Sequence, residues 1–402
     1  MRRVHPTKLI LAGYGLYMFL GWCMLCLPIA RNVPVTPLDN LFTAVSAVST
    51  TGLVTVDPGT TYTLFGQVII LMLIQAGGIG YMTLGSFIML ATVKHLSPLR
   101  ERLARTAFTL PENIITVHFI RTVVIFTLVI EALGAVALYF AFAAAGVRDA
   151  PWSAIFHSVS AFCTAGFSLN PNSLEDFRGN FAVNAAVSVL SLLGAMGFLI
   201  VFDVWRSLTN RSVQVSFTSQ VIVRLTFAFL AIGTVILFLA DPGIAALPST
   251  DRLLAAFFQA MTAMTTVGFN TVPIGALAPA AIVILYFFMA IGAAPSGTGG
   301  GLKITTFAAM VGLVRSTVRR QPDVSFFGRV IPENRVRLAA ASSAYFVMLM
   351  TPAVFVLCLT EAGADFEALL FEAFSAIGTV GLSMGLTGGL SEIGKAVIIL
   401  LM

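Results

Sequence analysis

Four short clusters of the sequence have the composition of a backbone site for a dehydrated cation. Each has a threonine two places before a glycine and a leucine or phenylalanine directly after it, and they read TTGL, TAGF, TVGF and TVGL. Glycine tolerates the positive φ values that turn successive carbonyl groups to one side, and four inward-facing carbonyl strands can replace the hydration shell of a cation. One such cluster would indicate a tight turn, but four in matching positions favour a shared selectivity filter.

The elements that carry these clusters belong to a membrane protein. Of the 402 residues, 58% are hydrophobic and 10% are charged, against about a quarter charged in soluble domains. A helix needs about 20 apolar residues to cross a bilayer. Candidate spans are Leu9–Ala30, Phe65–Ala91, Ile114–Ala145, Phe181–Trp205, Val221–Ala240, Leu338–Leu359, and Pro279–Gly292 continuing past a Gly-rich break to Val318.

Basic residues predict the orientation. Segments 1–8, 94–121, 206–224 and 315–337 hold 17 of the 23 Lys and Arg residues. The positive-inside rule places these segments, and with them the N-terminus, in the cytoplasm. The opposite connections hold twelve of the 18 acidic residues, which would concentrate cations at an outer entrance. An ordinary solvated loop surface explains these acids about as well.

The spacing of the clusters predicts four similar units in an all-α integral membrane protein, arranged around a pseudo-fourfold pore axis. Their predicted bounds are 1–93, 94–210, 211–322 and 323–402. A short amphipathic segment precedes each cluster, and at about 13 to 15 residues it cannot span a bilayer. We therefore expect four re-entrant pore helices at Pro37–Ser49, Pro151–Cys163, Asp251–Thr265 and Asp365–Gly378.

A Pro- and Gly-rich stretch, GAAPSGTGGGLKITT, interrupts the second span of the third unit. Proline and clustered glycines break a helix, so we expect a flexible segment below the filter that blocks or clears the pore. A packing kink is the alternative. A phosphate loop is disfavoured because Leu302 separates Gly301 from Lys303 and membrane spans flank the segment. The candidate gate residues are Pro295, Ser296, Gly297, Thr298, Gly299, Gly300, Gly301 and Lys303.

Three further features have simpler interpretations. Glu131 lies midway along a span, where ionisable residues are functional candidates, but we expect a structural hydrogen bond. Cys23 and Cys26 are expected to pack as small hydrophobes within their span. The four histidines show no metal-ligand spacing. The sequence indicates no catalytic site, no organic cofactor and no nucleic-acid partner.

The four filters, together with FHSVSAFCTAGF, TTVGFNT, PSGTGGGLKITT and GTVGLSMGLT, resemble the Trk/Ktr/HKT superfamily of potassium transporters. The resemblance covers nearly the whole chain and is strongest to the bacterial Ktr-type membrane subunits, because the first filter unit begins almost at residue 1. It implies four membrane-pore-membrane units, a K⁺ path along their shared axis and a gating loop over residues 293–303. It also implies a homodimer in the bacterial cytoplasmic membrane and a cytosolic ring of nucleotide-binding RCK subunits.

The resemblance also assigns the filter residues. The implied K⁺-coordinating positions are Thr50, Thr51, Gly52, Thr164, Ala165, Gly166, Thr266, Val267, Gly268, Thr379, Val380 and Gly381. Na⁺ is a possible coupling or activating ion. In the family the last span continues beyond the closing KAVIILLM, so we expect the fourth unit to be incomplete here.

The sequence therefore predicts inward K⁺ conduction through four pore loops. The alternative from another class is an ion-coupled solute carrier, in which broken helices bind a substrate at the membrane midplane. Such carriers usually have two matched repeats, often inverted, whereas this chain has four in parallel. A sensor or scaffold without transport would leave the four filter glycines unexplained.

Overall fold

The computed structural model describes residues 6–80, 101, 115–209 and 215–402, which are mainly helical, as predicted. Most of the basic segment 94–121 and the end of the predicted span Phe65–Ala91 lie outside these residues. The helices are α1 (Pro6–Leu25), α2 (Pro37–Val48), α3 (Pro58–Thr61), α4 (Leu64–Gly78), α5 (Thr116–Ala144), α6 (Ala150–Phe162), α7 (Phe181–Met196), α8 (Phe198–Thr209), α9 (Phe217–Ala240), α10 (Pro242–Ala245), α11 (Ser249–Thr265), α12 (Pro279–Ala290), α13 (Ile304–Val318), α14 (Glu333–Thr360), α15 (Phe366–Ile377) and α16 (Glu392–Leu401).

The described residues also contain two pairs of very short strands. Strands β1 (Ile291–Gly292) and β2 (Leu302–Lys303) pair in parallel and close the Gly-rich stretch into a loop. Strands β3 (Ser325–Phe326) and β4 (Arg329–Val330) form an antiparallel hairpin between α13 and α14.

Each of the four predicted units contains a long apolar helix. Helices α1, α5, α9 and α14 are long and apolar enough to cross a membrane. The chain is therefore a multi-pass membrane protein, as its composition predicts.

The predicted span Phe181–Trp205 is wrong as a single straight helix. Helices α7 and α8 meet at an angle of 89°, and the residue between them, Gly197, has φ +89°. Glycine adopts this backbone conformation without the steric cost that a Cβ adds. The break lies against the Gly-rich stretch of the third unit, because the Phe198 N–H donates to the Ser296 carbonyl over 3.1 Å.

The predicted pore helices are confirmed to within two residues at either end. Helices α2, α6, α11 and α15 have 12 to 17 residues, fewer than a span requires. Their starts follow ordinary capping rules: at α2, Thr36 accepts a hydrogen bond from the Asp39 N–H and Pro37 occupies the first turn. Each chain segment therefore enters the membrane layer and returns to the same side.

The units form a closed ring. The second helical segment of each unit packs against the pore helix of the next: α4 contacts α6, α7 contacts α11, α12 contacts α15, and α16 contacts α2. The last of these contacts joins the fourth unit to the first. The side of the ring that holds the N-termini of the pore helices is called the outer side below.

An ion pair reinforces this closure. The Nζ of Lys395 on α16 lies 2.7 Å from the Oδ1 of Asp39 on α2, and the two side chains are 15% and 9% exposed. The Thr36 hydroxyl donates to the other Asp39 oxygen over 2.6 Å. A pair this well buried is costly to break, since removing one partner leaves a charge without compensation.

We expect Lys395→Met to lower the free energy of unfolding by about 2 kcal/mol, a value between those of exposed and fully buried pairs. The measurement is thermal unfolding of the detergent-solubilised protein. Asp39→Asn combined with Lys395→Met should be less damaging than either change alone. Arg337→Ala serves as the control, because its pair with Glu333 is nearly fully exposed. Equal melting temperatures for the Lys395 and Arg337 variants would contradict a stabilising role for the buried pair.

Candidate functional site

The filter strands, residues 50–52, 164–166, 266–268 and 379–381, begin as the C-terminal caps of the pore helices. The residue after each threonine donates its N–H to a carbonyl five positions earlier, over 2.8 to 3.2 Å. This is the long hydrogen bond of a Schellman cap. The donor and acceptor pairs are Thr51 and Ser46, Ala165 and Ser160, Val267 and Thr262, and Val380 and Ser375.

The cap gives the four filter threonines an unusual backbone conformation. Thr50, Thr164, Thr266 and Thr379 have φ between +46° and +57°. The left-handed conformation costs a β-branched residue roughly 1–2 kcal/mol. Such strain persists where surrounding contacts determine the backbone, and it concentrates at functional sites.

A hydroxyl group six positions before the glycine fixes the next part of the strand in three units. The glycine N–H donates to Ser46 Oγ (3.1 Å), Thr262 Oγ1 (3.1 Å) and Ser375 Oγ (3.0 Å) in the first, third and fourth units. In the second unit Ser160 instead donates to the Phe167 carbonyl, over 2.8 Å. Our sequence analysis missed these hydroxyls, although their constant spacing from the glycines was visible.

These hydrogen bonds use the backbone donors of the strands on the pore-helix side. The middle residues of the strands, Thr51, Ala165, Val267 and Val380, are fully buried. The carbonyl groups are then the backbone groups that remain available to a cation. This arrangement resembles the carbonyl rings that replace the hydration shell in potassium-selective filters.

The four glycines lie in a closed ring. A Cβ added to any one of them would overlap the carbonyl oxygen of the middle residue in the next strand. The overlapping pairs are Gly52 with Ala165, Gly166 with Val267, Gly268 with Val380, and Gly381 with Thr51. The strands therefore meet around one narrow axis, and glycine is required for space as well as for its positive φ.

The gate segment, residues 293–303, lies directly against the inner end of this ring and contacts all four filter threonines. Thr298 Oγ1 is 3.1 Å from Thr164 Oγ1, and its carbonyl is 3.5 Å from Thr50 Oγ1. The Gly300 N–H donates to Thr266 Oγ1 over 2.8 Å. A Cβ on Gly300 would overlap the Thr379 hydroxyl. The segment is thus hydrogen-bonded in place across the axis.

The broken span of the second unit holds the gate segment from the side. The Ala294 N–H donates to the Ala195 carbonyl (3.0 Å) and the Thr298 N–H to the Gly194 carbonyl (3.1 Å). A Cβ on Gly197 would come within 2.6 Å of the Pro295 carbonyl oxygen. The backbone of the break at Gly197 therefore packs directly against the backbone of the gate segment.

Lys303 turns its charge toward the gate segment. Its Nζ donates to the Gly299 carbonyl over 2.6 Å and lies 3.4 Å from the Gly300 carbonyl. The ammonium group therefore ties the C-terminal end of the segment to its middle. The gate candidates from Pro295 to Gly301 and Lys303 all lie in this one assembly.

Glu131 lies behind the filter and makes the kind of hydrogen bond expected from the sequence. It accepts a hydrogen bond from Gln75 Nε2 over 3.0 Å. The Sγ of Cys163, which directly precedes the second filter strand, lies 3.7 Å from its other oxygen. This cluster joins α4, α5 and the end of α6.

The loops on the outer side contact one another next to the filter. Glu175 accepts a hydrogen bond from Asn270 Nδ2 over 2.7 Å, which joins the second unit to the strand leaving the third filter. Burial, with a contribution from the Asp176 charge, raises the pKa of Glu175 above its ordinary value. Among the described residues, no group of three or more His, Cys, Asp or Glu side chains could hold a metal ion. Cys23 and Cys26 are unpaired thiols.

Comparison with known proteins decides the family. A family model described as "TrkH: Cation transport protein" matches residues 24–402. The chain belongs to the TrkH family.

Relatives of this TrkH family member span nearly its whole length. It is 34% identical to the Ktr system potassium uptake protein B of Bacillus subtilis, covering 100% of this chain and 90% of the relative. It is also 34% identical to the potassium/sodium uptake protein NtpJ of Enterococcus hirae, with the same coverage. The crystal structure of the potassium transporter TrkH from Vibrio parahaemolyticus superposes with a TM-score of 0.75 at 19% identity, covering 100% of this chain and 82% of that one. This structural likeness confirms the fold.

Proposed function

We propose that this TrkH family member is the ion-conducting subunit of a Ktr- or Trk-type K⁺ uptake system. The observation that carries the proposal is the closed ring in which each filter glycine lies against a carbonyl of the next strand. A ring this narrow suits an ion without its hydration shell. It supports ion conduction over the alternative of a solute carrier, since the strands leave no space between them for an organic substrate.

The proposed selectivity depends on how firmly the pore helices hold the strands. Carbonyl groups favour one cation over another by their number, field strength and spacing. The hydroxyls of Ser46, Thr262 and Ser375 fix the glycine N–H groups, so they also fix the direction of the adjoining carbonyls. Na⁺ is proposed to act as an activating or coupling ion, and no organic cofactor is proposed for this chain.

We expect Ser46→Ala and Ser375→Ala each to lower the preference for K⁺ over Na⁺ by roughly tenfold, the effect of about 1.4 kcal/mol. Without the hydroxyl, the glycine N–H group has no acceptor on the pore helix, so the filter strand is held less firmly. The measurement is labelled Rb⁺ uptake into proteoliposomes, in competition with K⁺ or Na⁺.

Ser160→Ala should have a smaller effect, because Ser160 does not hold its glycine N–H. Ser191→Ala is the matched control, since this buried hydroxyl bonds within its own helix, to Val187. Thr262→Ser should retain the preference of the parent protein. Transport-competent Ser46 and Ser375 variants with the parent's preference would contradict the proposed role of the four strands.

We further propose that the gate segment closes the inner end of the path. Its support is the set of contacts that Thr298 and Gly300 make with the four filter threonines. Opening would require these contacts and the hydrogen bonds to residues 194–198 to be released together.

We expect Thr298→Val to raise basal Rb⁺ uptake severalfold without changing the preference for K⁺ over Na⁺. The substitution keeps the side-chain shape but removes the hydrogen bonds to Thr164 and to the Phe162 carbonyl. Basal uptake by proteoliposomes without a regulatory partner is the measurement. Thr317→Val is the control, because that exposed hydroxyl bonds within α13. Equal basal uptake by the two folded variants would argue against a blocking role.

The partner proposal concerns the inner surface. We place the protein in a bacterial cytoplasmic membrane as a homodimer, with a cytosolic ring of nucleotide-binding RCK subunits below it. The relatives named as Ktr system proteins support a multicomponent system. The β3–β4 hairpin carries exposed Phe327 and Val330 next to Arg329, so it offers this ring both apolar and basic contacts.

Reversal of Arg319, Arg320 and Arg329 to Glu should weaken co-purification with a co-expressed RCK subunit by at least tenfold, because an attractive surface becomes repulsive. The same number of reversals at Arg31, Arg148 and Arg178 in the outer connections provides the control. If the variant with Arg319, Arg320 and Arg329 reversed co-purified with the RCK subunit as well as the parent does, the docking surface would have to lie elsewhere.

A further inference from the structure

Each pore helix has a second polar residue at the same position, nine residues before the filter glycine. The position is occupied by Thr43, His157, Gln259 and Glu372, and all four side chains are fully buried. This position lies one helical turn before the hydroxyl that holds the glycine N–H, and residues three apart share a helix face. The same face of each pore helix therefore carries two polar groups.

In three units this second group reaches the chain just after the filter. His157 Nε2 is 3.0 Å from Ser168 Oγ, and Gln259 Nε2 donates to Thr271 Oγ1 over 3.3 Å. Glu372 accepts hydrogen bonds from the hydroxyls of Ser383 and Thr387. Ser168, Thr271 and Ser383 follow their glycines by two or three residues, so these contacts fix the outer ends of the strands. Thr43 differs, because it donates to the Asp39 carbonyl of its own helix.

The surroundings of Glu372 are rich in hydrogen-bond donors. Besides the two hydroxyls that donate to it, the backbone N–H groups of Leu386 and Thr387 lie near its carboxylate. A carboxylate has only acceptors, whereas the carboxamide of glutamine would direct its own N–H groups at these donors. The two hydroxyls and the nearby N–H groups thus form a polar site for a negative group beside the fourth filter strand.

The charge of Glu372 has no Lys or Arg partner among the described residues. A buried charge is costly unless hydrogen bonds or an opposite charge compensate it. The hydroxyls of Ser383 and Thr387 supply part of this compensation. A cation at the outer end of the neighbouring filter would supply more, because Ser383 connects the carboxylate to the strand that ends at Gly381.

We propose that Glu372 is a positioning and specificity-determining residue of the filter, which fixes the outer end of the fourth strand through Ser383 and adds negative charge beside the cation path. This inference rests on the proposed K⁺ conduction. It makes the fourth strand different from the others, since histidine and glutamine occupy this position in the second and third units and threonine in the first.

The test compares Glu372→Gln, Glu372→Asp and Ser383→Ala in the Rb⁺ competition assay with proteoliposomes. Glu372→Gln removes the negative charge and places the amide N–H groups of glutamine against the surrounding donors, so the preference for K⁺ over Na⁺ should fall about tenfold. Glu372→Asp keeps the charge and the acceptor oxygens, so it should retain most of the parent's preference for K⁺. Ser383→Ala should lower the preference to a smaller extent. The double variant Glu372→Gln, Ser383→Ala should be no worse than Glu372→Gln alone, because one strand contact is lost in both.

Thr43→Val is the matched control: it removes a buried hydroxyl at the same position of a pore helix, but one that does not contact its filter strand. Its preference should equal that of the parent. A purely structural role for Glu372 would lower thermal stability and total uptake in the Gln variant while leaving the preference unchanged. If Glu372→Gln does not fold, Ser383→Ala carries the test, since it leaves the carboxylate in place.

The outcomes separate this inference from the proposed function. A parent protein that takes up no Rb⁺ would overturn K⁺ conduction and this inference with it. A selective parent whose folded Gln and Ser383 variants keep its preference would overturn this inference alone.

Discussion

The C-terminal cap of the pore helix is the local structure on which the rest of the site depends. A helix end leaves carbonyl groups without partners, and here the N–H groups of the filter strand satisfy them through the bond to Ser46 and its equivalents. The same bonds consume the strand's donors and leave its carbonyls for the axis. One short motif thus ends the helix, turns the chain and exposes the groups that a cation requires.

Ring closure turns four such caps into one site. Each second helical segment packs on the next pore helix, and the Asp39–Lys395 ion pair lies where the last unit meets the first. The glycines then come so close to neighbouring carbonyls that no side chain fits between them. Selectivity in such a ring is a collective property, because displacement of one strand changes the space available to the others.

The four pore helices and filter strands share one backbone conformation but differ in the side chains that support them. Ser160 bonds to a carbonyl where its three equivalents hold a glycine N–H. The third unit alone provides the gate segment, and the second unit provides the broken helix that receives it. The repeated units therefore contribute different parts to the structure around the filter. A strictly fourfold assembly could not place one asymmetric segment across its axis without such a receiving surface.

The sequence by itself determined the long apolar helices, the four pore helices and the positions of the four Thr-x-Gly clusters, because hydrophobic length, Pro and Gly act locally and the pattern repeats four times. It did not determine the left-handed threonines or the 89° break at Gly197. Nor did it identify Glu372, whose donors come from a loop more than ten residues away. Each of these depends on contacts between chain segments: the threonine strain is compensated by the cap and the ring, and the break at Gly197 is completed by the backbone of another unit. Local propensity carries no information about such partners, and tertiary packing decided them.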